Sequence, residues 1–268
     1  MTANEIRNKL KSCGIENYVL ETEILIEELC DNFSEETDYS SEALAVAVEK
    51  RCARYPLQYI IGKWWLARCE FFVDESTLVP RPDTETIVEL AVKHLPKNAH
   101  FADLCTGSGC IAISILDLRP DTVADAYELY PKTLEMAKKN AAHNKVEKRF
   151  TPFLGDVLQK ETLGERKYSA IISNPPYIRT EVIETLEIEA KTEPRAALDG
   201  GDDGLIFYRE IVNNYAENLE YGGFFLFEIG FDQADDLRRI ADLGGFDCKI
   251  FKDFGGCDRA ALLCKKEN

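Results

Sequence analysis

The residues best suited to chemistry form a short turn, Asn174-Pro175-Pro176-Tyr177, at the end of a predicted strand. Two consecutive prolines fix the backbone and remove two N–H donors, so the carbonyls of this turn stay free for a ligand. The Asn174 side-chain oxygen and the Pro175 carbonyl can each accept one N–H of a planar nitrogen. We expect these groups to be catalytic, because they orient the nitrogen and bind it more tightly as it becomes positive. Tyr177 can pack on the same planar group and exclude water.

A glycine-rich loop between a predicted strand and a predicted helix forms the second candidate site. It comprises Asp103-Leu104-Cys105-Thr106-Gly107-Ser108-Gly109. Glycine lets the backbone approach a ligand at a distance where a side chain would collide. The nicotinamide fingerprint G-x-G-x-x-G and the phosphate-binding pattern G-x-x-x-x-G-K-[ST] are both absent from the sequence. The loop therefore predicts a cofactor site of another kind.

Three acidic residues, Asp103, Glu128 and Asp156, accompany the loop. Glu128 ends the next predicted strand, where a carboxylate can accept both hydroxyls of a ribose. Asp156 follows the third strand and can accept a hydrogen bond from the exocyclic amine of an adenine. Acidic groups on both sides of the loop favour a cofactor with a cationic centre and no phosphates. S-adenosylmethionine has these properties.

Alternating strands and helices must position these residues. The strand candidates are residues 100–104, 122–128, 150–154, 168–173 and 223–228, and helices are predicted after Gly109, Pro131, Gly204 and Asp232. This alternation predicts an α/β protein with a parallel, doubly wound sheet, whose carboxyl edge carries both candidate sites. Residues 248–252 and 259–265 predict an antiparallel hairpin at the edge of the sheet.

We expect three segments along the chain, 1–55, 56–82 and 83–268. Apolar residues at helical spacing predict a small helical domain in the first segment, with the role of holding a partner. The second segment predicts a linker with a β-hairpin, and the third predicts the cofactor-binding domain. At its start, Asp83 or Thr84 is expected to cap a helix that runs to about Leu95.

The charge and cysteine content narrow the function further. The 268 residues include 48 acidic and 32 basic side chains, a net charge of −16. This acidity argues against direct binding to nucleic acid, because such affinity comes from Lys and Arg that displace counterions. Nine cysteines without a C-x-x-C pair favour reduced thiols over a metal site or a disulfide framework. Without a stretch that could span a bilayer, the sequence predicts a cytoplasmic protein that binds no membrane.

Several ordered motifs of this chain resemble one known family. Besides the loop and the turn described above, they are residues 56–62, 79–85, 193–194, 197–205, 208–209 and 228–230 with Gln233. Together they resemble the protein-(glutamine-N5) methyltransferases of peptide chain release factors, the PrmC/HemK family. The likeness extends from about residue 16 to the last strand.

The resemblance implies a Rossmann-like class I methyltransferase fold and a specific reaction. A methyl group would pass from S-adenosylmethionine, leaving S-adenosylhomocysteine, to the side-chain amide of the glutamine in the Gly-Gly-Gln loop of release factors. The helical domain would help to grip the release factor, and we expect a monomer. The implied cofactor-binding residues are Asp103, Cys105, Thr106, Gly107, Ser108, Gly109, Glu128, Asp156, Val157 and Asn174. The residues implied to hold the glutamine amide are Asn174, Pro175, Pro176 and Tyr177.

This sequence departs from the family at three positions. Cys105 stands where the family usually has glycine, Glu128 where aspartate is commoner, and Val157 where an aromatic ring often covers the adenine. The sequence also admits three other functions. Glutamine methylation of a ribosomal protein shares the whole site. Amino-group methylation of adenine or guanine in nucleic acid also suits the turn but needs a basic surface. A silent cofactor-binding module would need only the glycine-rich loop.

Overall fold

The structure is a computed structural model and describes residues 1–30, 33–34 and 37–266. The chain divides into two units. Met1–Lys63 and Leu186–Thr192 form unit 1, whereas Trp64–Thr185 and Glu193–Asn268 form unit 2. Within the described ranges, no helix combines the length and the apolar character that crossing a membrane requires.

Eleven helices and nine strands lie in the described residues. The helices are α1 (Ala3–Ser12), α2 (Tyr18–Cys30), α3 (Glu42–Cys52), α4 (Leu57–Ile61), α5 (Glu85–His94), α6 (Cys110–Leu118), α7 (Pro131–His143), α8 (Thr180–Ile183), α9 (Ile188–Thr192), α10 (Ile206–Tyr215) and α11 (Ala234–Leu243). The strands are β1 (Lys63–Leu66), β2 (Cys69–Phe72), β3 (His100–Leu104), β4 (Val123–Glu128), β5 (Phe150–Leu154), β6 (Tyr168–Ser173), β7 (Leu219–Glu228), β8 (Phe246–Lys252) and β9 (Asp258–Lys265).

Unit 1 is built from α1 to α4 and the distant helix α9. Its core contains the apolar side chains that recur at helical spacing, namely Ile6, Leu10, Leu25, Leu44 and Val48. Leu20 and Val46 share that spacing but are exposed, so the sequence pattern overstates the core at these two positions. The role of this unit in holding a partner stays a prediction.

A buried arginine ties α9 to the rest of unit 1. The Arg51 guanidinium donates to both carboxylate oxygens of Glu21, at 2.6 and 3.2 Å, and to Glu189 at 3.1 Å. Bidentate pairs of this kind are geometrically specific, and breaking a buried one leaves an uncompensated charge. The ion pairs therefore hold residues 186–192, which follow the Asn-Pro-Pro-Tyr turn in sequence, within unit 1.

Unit 2 contains a seven-stranded sheet in the order β5-β4-β3-β6-β7-β9-β8. All neighbouring pairs from β5 to β7 are parallel, and β9 pairs antiparallel with both β7 and β8. The predicted parallel sheet and its antiparallel hairpin are confirmed. β3, β5 and β6 have the predicted bounds, whereas β7 begins earlier than predicted, at Leu219.

Helices cover both faces of this sheet. α5, α6 and α7 bury Ile87, Ile113 and Ala137 in a cluster on one face. α10 and α11 bury Tyr208 and Leu237 in a second cluster on the other face. Because helices cover both faces of the sheet, the strands carry apolar side chains on both faces. The loops at the carboxyl ends of the strands are left accessible to a ligand.

A buried asparagine links the small hairpin β1–β2 to the glycine-rich loop. Asn140 on α7 exchanges two hydrogen bonds with the backbone of Phe72, at 2.7 and 3.0 Å. Its Nδ2 also donates to the Ser108 carbonyl at 2.8 Å. The side chain satisfies backbone groups that the short hairpin cannot pair by itself, and it fixes the outer side of the loop.

The start of α5 differs from its prediction. The helix begins at Glu85 after a 3-10 turn over Pro82–Thr84, and neither Asp83 nor Thr84 caps it through a side chain. The Thr84 hydroxyl instead donates to the buried Glu228 at 2.7 Å, and Asp83 pairs with Arg259 at 3.2 Å. Thr84 therefore occupies the predicted N-cap position and the helix ends as expected, with Leu95 at its C-cap, but the capping hydrogen bond is absent because the side chain contacts a residue distant in sequence.

Candidate active site

The two candidate sites lie side by side because β3 and β6 are neighbours in the sheet. Their parallel register pairs Leu104 with Ser173, the last residue of each strand. The Ser173 hydroxyl also donates to the Leu104 carbonyl at 2.7 Å. The glycine-rich loop and the Asn-Pro-Pro-Tyr turn therefore leave the same edge of the sheet at the same level.

A cavity of about 270 Å³ opens at this edge of unit 2. Its lining includes seven of the predicted site residues, namely Cys105, Gly107, Glu128, Asp156, Val157, Asn174 and Pro176. The other predicted residues, Asp103, Thr106, Ser108, Gly109, Pro175 and Tyr177, are not part of the lining. The cavity thus joins the glycine-rich loop, the acidic strand ends and the turn.

The loop follows a left-handed path at three of its residues. Cys105, Gly107 and Gly109 have φ values of +57°, +58° and +83°. A side chain at Gly109 would also meet Ile113 Cδ1 at 2.7 Å, so helix α6 packs closely behind the loop. Glycine adopts positive φ without strain. At Cys105 the backbone is strained, because the Cβ of an L-residue crowds the neighbouring carbonyl oxygen in this conformation.

Asp103 lies on the buried side of the loop and connects it to the start of α6 through hydrogen bonds. Its side chain is fully buried, and Oδ2 accepts hydrogen bonds from the Thr106 hydroxyl at 2.6 Å and from the Ala112 amide at 3.3 Å. Oδ1 has no partner among the described residues. Burial raises the pKa of Asp103 to about 7. This carboxyl group therefore shapes the loop and does not face the cavity.

Glu128 faces the cavity and holds three backbone amides. Its Oε2 accepts from Gly107 at 3.1 Å, and its Oε1 accepts from Leu129 and Tyr130 at 2.9 and 3.0 Å. Burial raises the pKa of Glu128, and these three N–H groups oppose the shift. A carboxylate offers about four acceptor positions, so about one remains for a ligand. This is fewer than the two positions that the expected bonds to both ribose hydroxyls require.

The far side of the cavity carries Asp156 and Val157. The Asp156 carboxylate accepts from the Leu158 amide at 2.9 Å, which fixes its direction at the end of β5. Val157 is buried, and its carbonyl accepts from the Tyr215 hydroxyl at 2.9 Å. An ionisable and an apolar group thus stand next to each other, as a nucleoside requires.

The Asn-Pro-Pro-Tyr turn is held by the segment that follows it. Ile178 donates to the Leu198 carbonyl at 2.9 Å and accepts from the Gly200 amide at 2.8 Å. A Cβ on Gly200 would lie 2.8 Å from the Pro176 carbonyl oxygen, so only glycine allows this approach. Within the described chain, no hydrogen bond engages the Asn174 side chain, which lines the cavity. Its amide is available to a ligand.

Tyr177 is directed toward the interior of the domain. Its hydroxyl lies 3.4 Å from Oε1 of Glu228, and its ring packs against the cluster that contains α10 and α11. Burial raises the pKa of the Tyr177 hydroxyl and raises the pKa of Glu228 to about 7. The predicted packing of Tyr177 on a planar substrate stays a prediction.

Several cavity residues were not predicted from the sequence. They are Ser76, Leu78, Tyr127, Leu129, Tyr130, Thr133, Gly155, Pro194, Ala196, Ala197, Asp199 and Phe207. Glu193 connects two of these walls, since its Oε2 accepts from the Val79 amide at 3.0 Å and its Oε1 pairs with Arg81. The sequence carried a signal for Glu193, Pro194, Ala197 and Asp199, because residues 193–194 and 197–205 belong to the motifs that carry the family resemblance. The other lining residues in this set lie outside those motifs.

Asp199 adds a third carboxylate to the lining of the cavity. It accepts from the Thr180 hydroxyl at 2.6 Å and from the Gly201 amide at 3.1 Å. The Thr180 hydrogen bond lowers the pKa of Asp199, which therefore stays ionised at neutral pH. Asp199 also pairs with Arg195 at 3.3 Å. Among the described residues, Glu128 and Asp156 are the lining carboxylates without an ion-pair partner, and these two make the cavity suited to a cation.

Comparison with known proteins agrees with this geometry. Residues 82–193 match the family model described as Methyltransferase small domain. The chain is 39% identical to the release factor glutamine methyltransferase of Geobacter sulfurreducens, over 94% of this chain and 92% of that protein. It is 33% identical to the protein of the same name from Moorella thermoacetica, over 98% and 97% of the two chains.

A solved structure supports the fold. The ribosomal protein L11 methylase from Lactobacillus delbrueckii subsp. bulgaricus matches with a TM-score of 0.51 and 16% sequence identity. The match covers 70% of this chain and 81% of that one. At this identity the similarity concerns the architecture of the sheet and its helices.

The positive φ of Cys105 gives a prediction about stability. We expect Cys105→Gly to equal or exceed the wild type in free energy of unfolding, because glycine removes the strain at φ +57°. Cys105→Val should lose about 1–2 kcal/mol, since a β-branched side chain fits this conformation poorly. Urea denaturation measures both changes, and Cys105→Ser controls for loss of the thiol. Equal stability of the glycine and valine variants would contradict the account.

The raised pKa of Asp103 gives a prediction about pH. Its protonated form is favoured by folding, so its contribution to stability is present below about pH 4 and is lost as pH rises toward 7. Across this window the free energy of unfolding of the wild type should fall relative to Asp103→Asn, by up to about 1.4 kcal/mol per pH unit. Denaturation at a series of pH values tests this, with the exposed Asp247→Asn as control. Parallel profiles for wild type and Asp103→Asn would refute it.

Proposed function

The chain belongs to the release factor glutamine methyltransferase family, and from this premise we propose which of its residues perform the reaction. The protein transfers a methyl group from S-adenosylmethionine to the side-chain amide nitrogen of a release-factor glutamine. One observation supports the assignment of residues above the others. A cavity lined by carboxylates at the glycine-rich loop continues to Asn174 and Pro176 of the turn.

The residues around the cavity fit S-adenosylmethionine. Gly107 lets the backbone approach the cofactor, and Glu128 has about one acceptor position left for a ribose hydroxyl. Asp156 and Val157 provide an acceptor and an apolar surface for the adenine. The carboxylates of the lining favour the sulfonium cation by simple electrostatics. The bound cofactor supplies the electrophilic methyl group.

Asn174 and Pro175 are the groups that hold the substrate amide in this proposal. An amide nitrogen is a poor nucleophile because its lone pair is delocalised, but it needs no base to remove a proton before it attacks. The Asn174 side-chain oxygen and the Pro175 carbonyl each accept one of its two N–H groups and orient the lone pair. As the nitrogen becomes positive, both hydrogen bonds strengthen, which stabilises the transition state selectively. The proton leaves the nitrogen afterwards.

The rest of the chain supports this reaction by excluding water and selecting a protein substrate. Leu78, Pro194, Ala197 and Phe207 give the cavity an apolar wall, and a less polar surrounding strengthens the hydrogen bonds formed beside it. The net charge of −16 disfavours nucleic acid as the substrate. The helical unit 1 supplies, in this proposal, part of the surface that grips the release factor.

A methyl-transfer assay tests the assignment. Purified protein is incubated with radiolabelled S-adenosylmethionine and, in separate reactions, a release factor, ribosomal proteins or unmodified nucleic acid. We expect label in the release factor. Asn174→Ala should lower the rate by about 100-fold, as for other groups that stabilise developing charge, and should keep cofactor affinity within about threefold.

The exposed Asn213→Ala on α10 provides a matched control that should keep the wild-type rate. Calorimetric titration with the cofactor separates loss of catalysis from loss of binding. Undiminished turnover by Asn174→Ala would reject the role of this residue. Label that enters only the nucleic acid would reject the proposed substrate.

A further inference from the structure

Gln233 is a buried amide in contact with the substrate-holding turn, although it lies far from that turn in sequence. It stands just before α11 and is 2% exposed. Its Nε2 donates to the carbonyls of Tyr177 and Gly204, both at 3.1 Å. Its Oε1 accepts from the Gly230 amide at 2.9 Å and lies 3.4 Å from the Tyr208 hydroxyl. One side chain therefore joins the turn to two other loops.

The surroundings of Gln233 determine the direction of its amide. Two carbonyl oxygens can only accept hydrogen bonds, so they require the NH₂ group. The Gly230 amide can only donate, so it requires the oxygen. No other residue type of this length offers two donors and an acceptor in this arrangement. The network is complete, and a fully satisfied buried network is rigid.

The Tyr177 carbonyl is constrained from a second direction by Gly204. This glycine has a φ of +73°, and a Cβ there would lie 2.4 Å from the Tyr177 oxygen. The Gln233 amide can reach the Tyr177 carbonyl only because Gly204 has no side chain, since a Cβ there would also lie 3.0 Å from Gln233 Nε2. Two prolines stiffen the preceding residues, so fixing the Tyr177 peptide also fixes the direction of the turn as a whole.

We propose that Gln233 is a positioning residue for methyl transfer. It engages the Tyr177 carbonyl at the end of the turn, and so sets the direction in which Asn174 and Pro175 present their oxygens to the substrate amide. This inference rests on the function proposed above and adds a residue that touches neither cofactor nor substrate. Displacing a catalytic group by about 1 Å can cost about 100-fold in rate, so the effect should be large.

Asn218 offers a matched control for this role. It is also buried, and its Nδ2 donates to two backbone carbonyls, of Gly164 at 2.9 Å and of Arg166 at 2.7 Å. Asn218 precedes β7 and therefore lies at the amino ends of the parallel strands. The turn and Gln233 follow the carboxyl ends of β6 and β7. Both side chains satisfy a pair of carbonyls, but only Gln233 contacts the turn.

The test compares Gln233→Glu with Asn218→Asp. Each change keeps the shape of the side chain and replaces the NH₂ donors by a carboxyl oxygen facing two carbonyls. Steady-state kinetics with a release factor give kcat and KM, calorimetric titration gives cofactor affinity, and thermal denaturation reports folding. We expect both variants to lose stability. Only Gln233→Glu should lower kcat, by about 100-fold, with cofactor affinity within about threefold of wild type.

A second pair of variants keeps the test decisive if Gln233→Glu fails to fold. A Cβ in Gly204→Ala would lie 2.4 Å from the Tyr177 carbonyl oxygen and 3.0 Å from Gln233 Nε2, so this change disturbs the same hydrogen bond. Gly222→Ala has a similar φ of +76° and open space around its Cβ. We expect Gly204→Ala to lower kcat and Gly222→Ala to leave it unchanged.

The outcomes separate this inference from the function on which it rests. A wild-type protein that methylates no release factor would overturn the proposed function. An active wild type with kcat unchanged in Gln233→Glu or Gly204→Ala would overturn the positioning role. A kcat loss in Asn218→Asp equal to that in Gln233→Glu would also overturn it, because stability alone would then explain the effect.

Discussion

The candidate site depends on the parallel pairing of β3 with β6. This pairing brings Leu104 level with Ser173, and the chain leaves both strands at the same edge of the sheet. A shift of one residue would turn every side chain of the strand to the other face and separate the two loops. The glycine-rich loop then binds the methyl donor in our account, and the turn beside it holds the acceptor. The shared edge therefore places the methyl donor beside the acceptor in this account.

Much of this arrangement could be predicted from the sequence. The strands of residues 100–104 and 168–173 are short and each ends in a loop with a recognisable motif. Parallel α/β sheets place such loops at one edge. The side chain of Asn174 could likewise be assigned to the site from its chemistry. The strand predictions are confirmed because their determinants are local in sequence. Asn174 lines the cavity, and its role in the reaction stays a prediction.

Other features depend on contacts between distant segments, which no local pattern encodes. The Thr84 hydroxyl binds Glu228 instead of capping α5 through its side chain. Glu193 accepts from the Val79 amide and so connects the residues next to Leu78 and Pro194, which both line the cavity. Asp103 was predicted to face the cofactor because acidic residues on both sides of the glycine-rich turn suit a cationic ligand. The pleat of the strand instead turns it inward, where burial raises its pKa to about 7. Asp103 therefore stabilises the loop. The carboxylates that line the cavity belong to Glu128, Asp156 and Asp199.

The most direct test of the central claim is the position of the transferred methyl group. A release factor with an unmodified Gly-Gly-Gln loop is incubated with the protein and S-adenosylmethionine, digested, and analysed by tandem mass spectrometry. The account predicts one added methyl group on the side-chain amide of the loop glutamine. A methyl group found only on another residue, or a loop glutamine that stays unmodified under conditions in which the protein binds its cofactor, would contradict it.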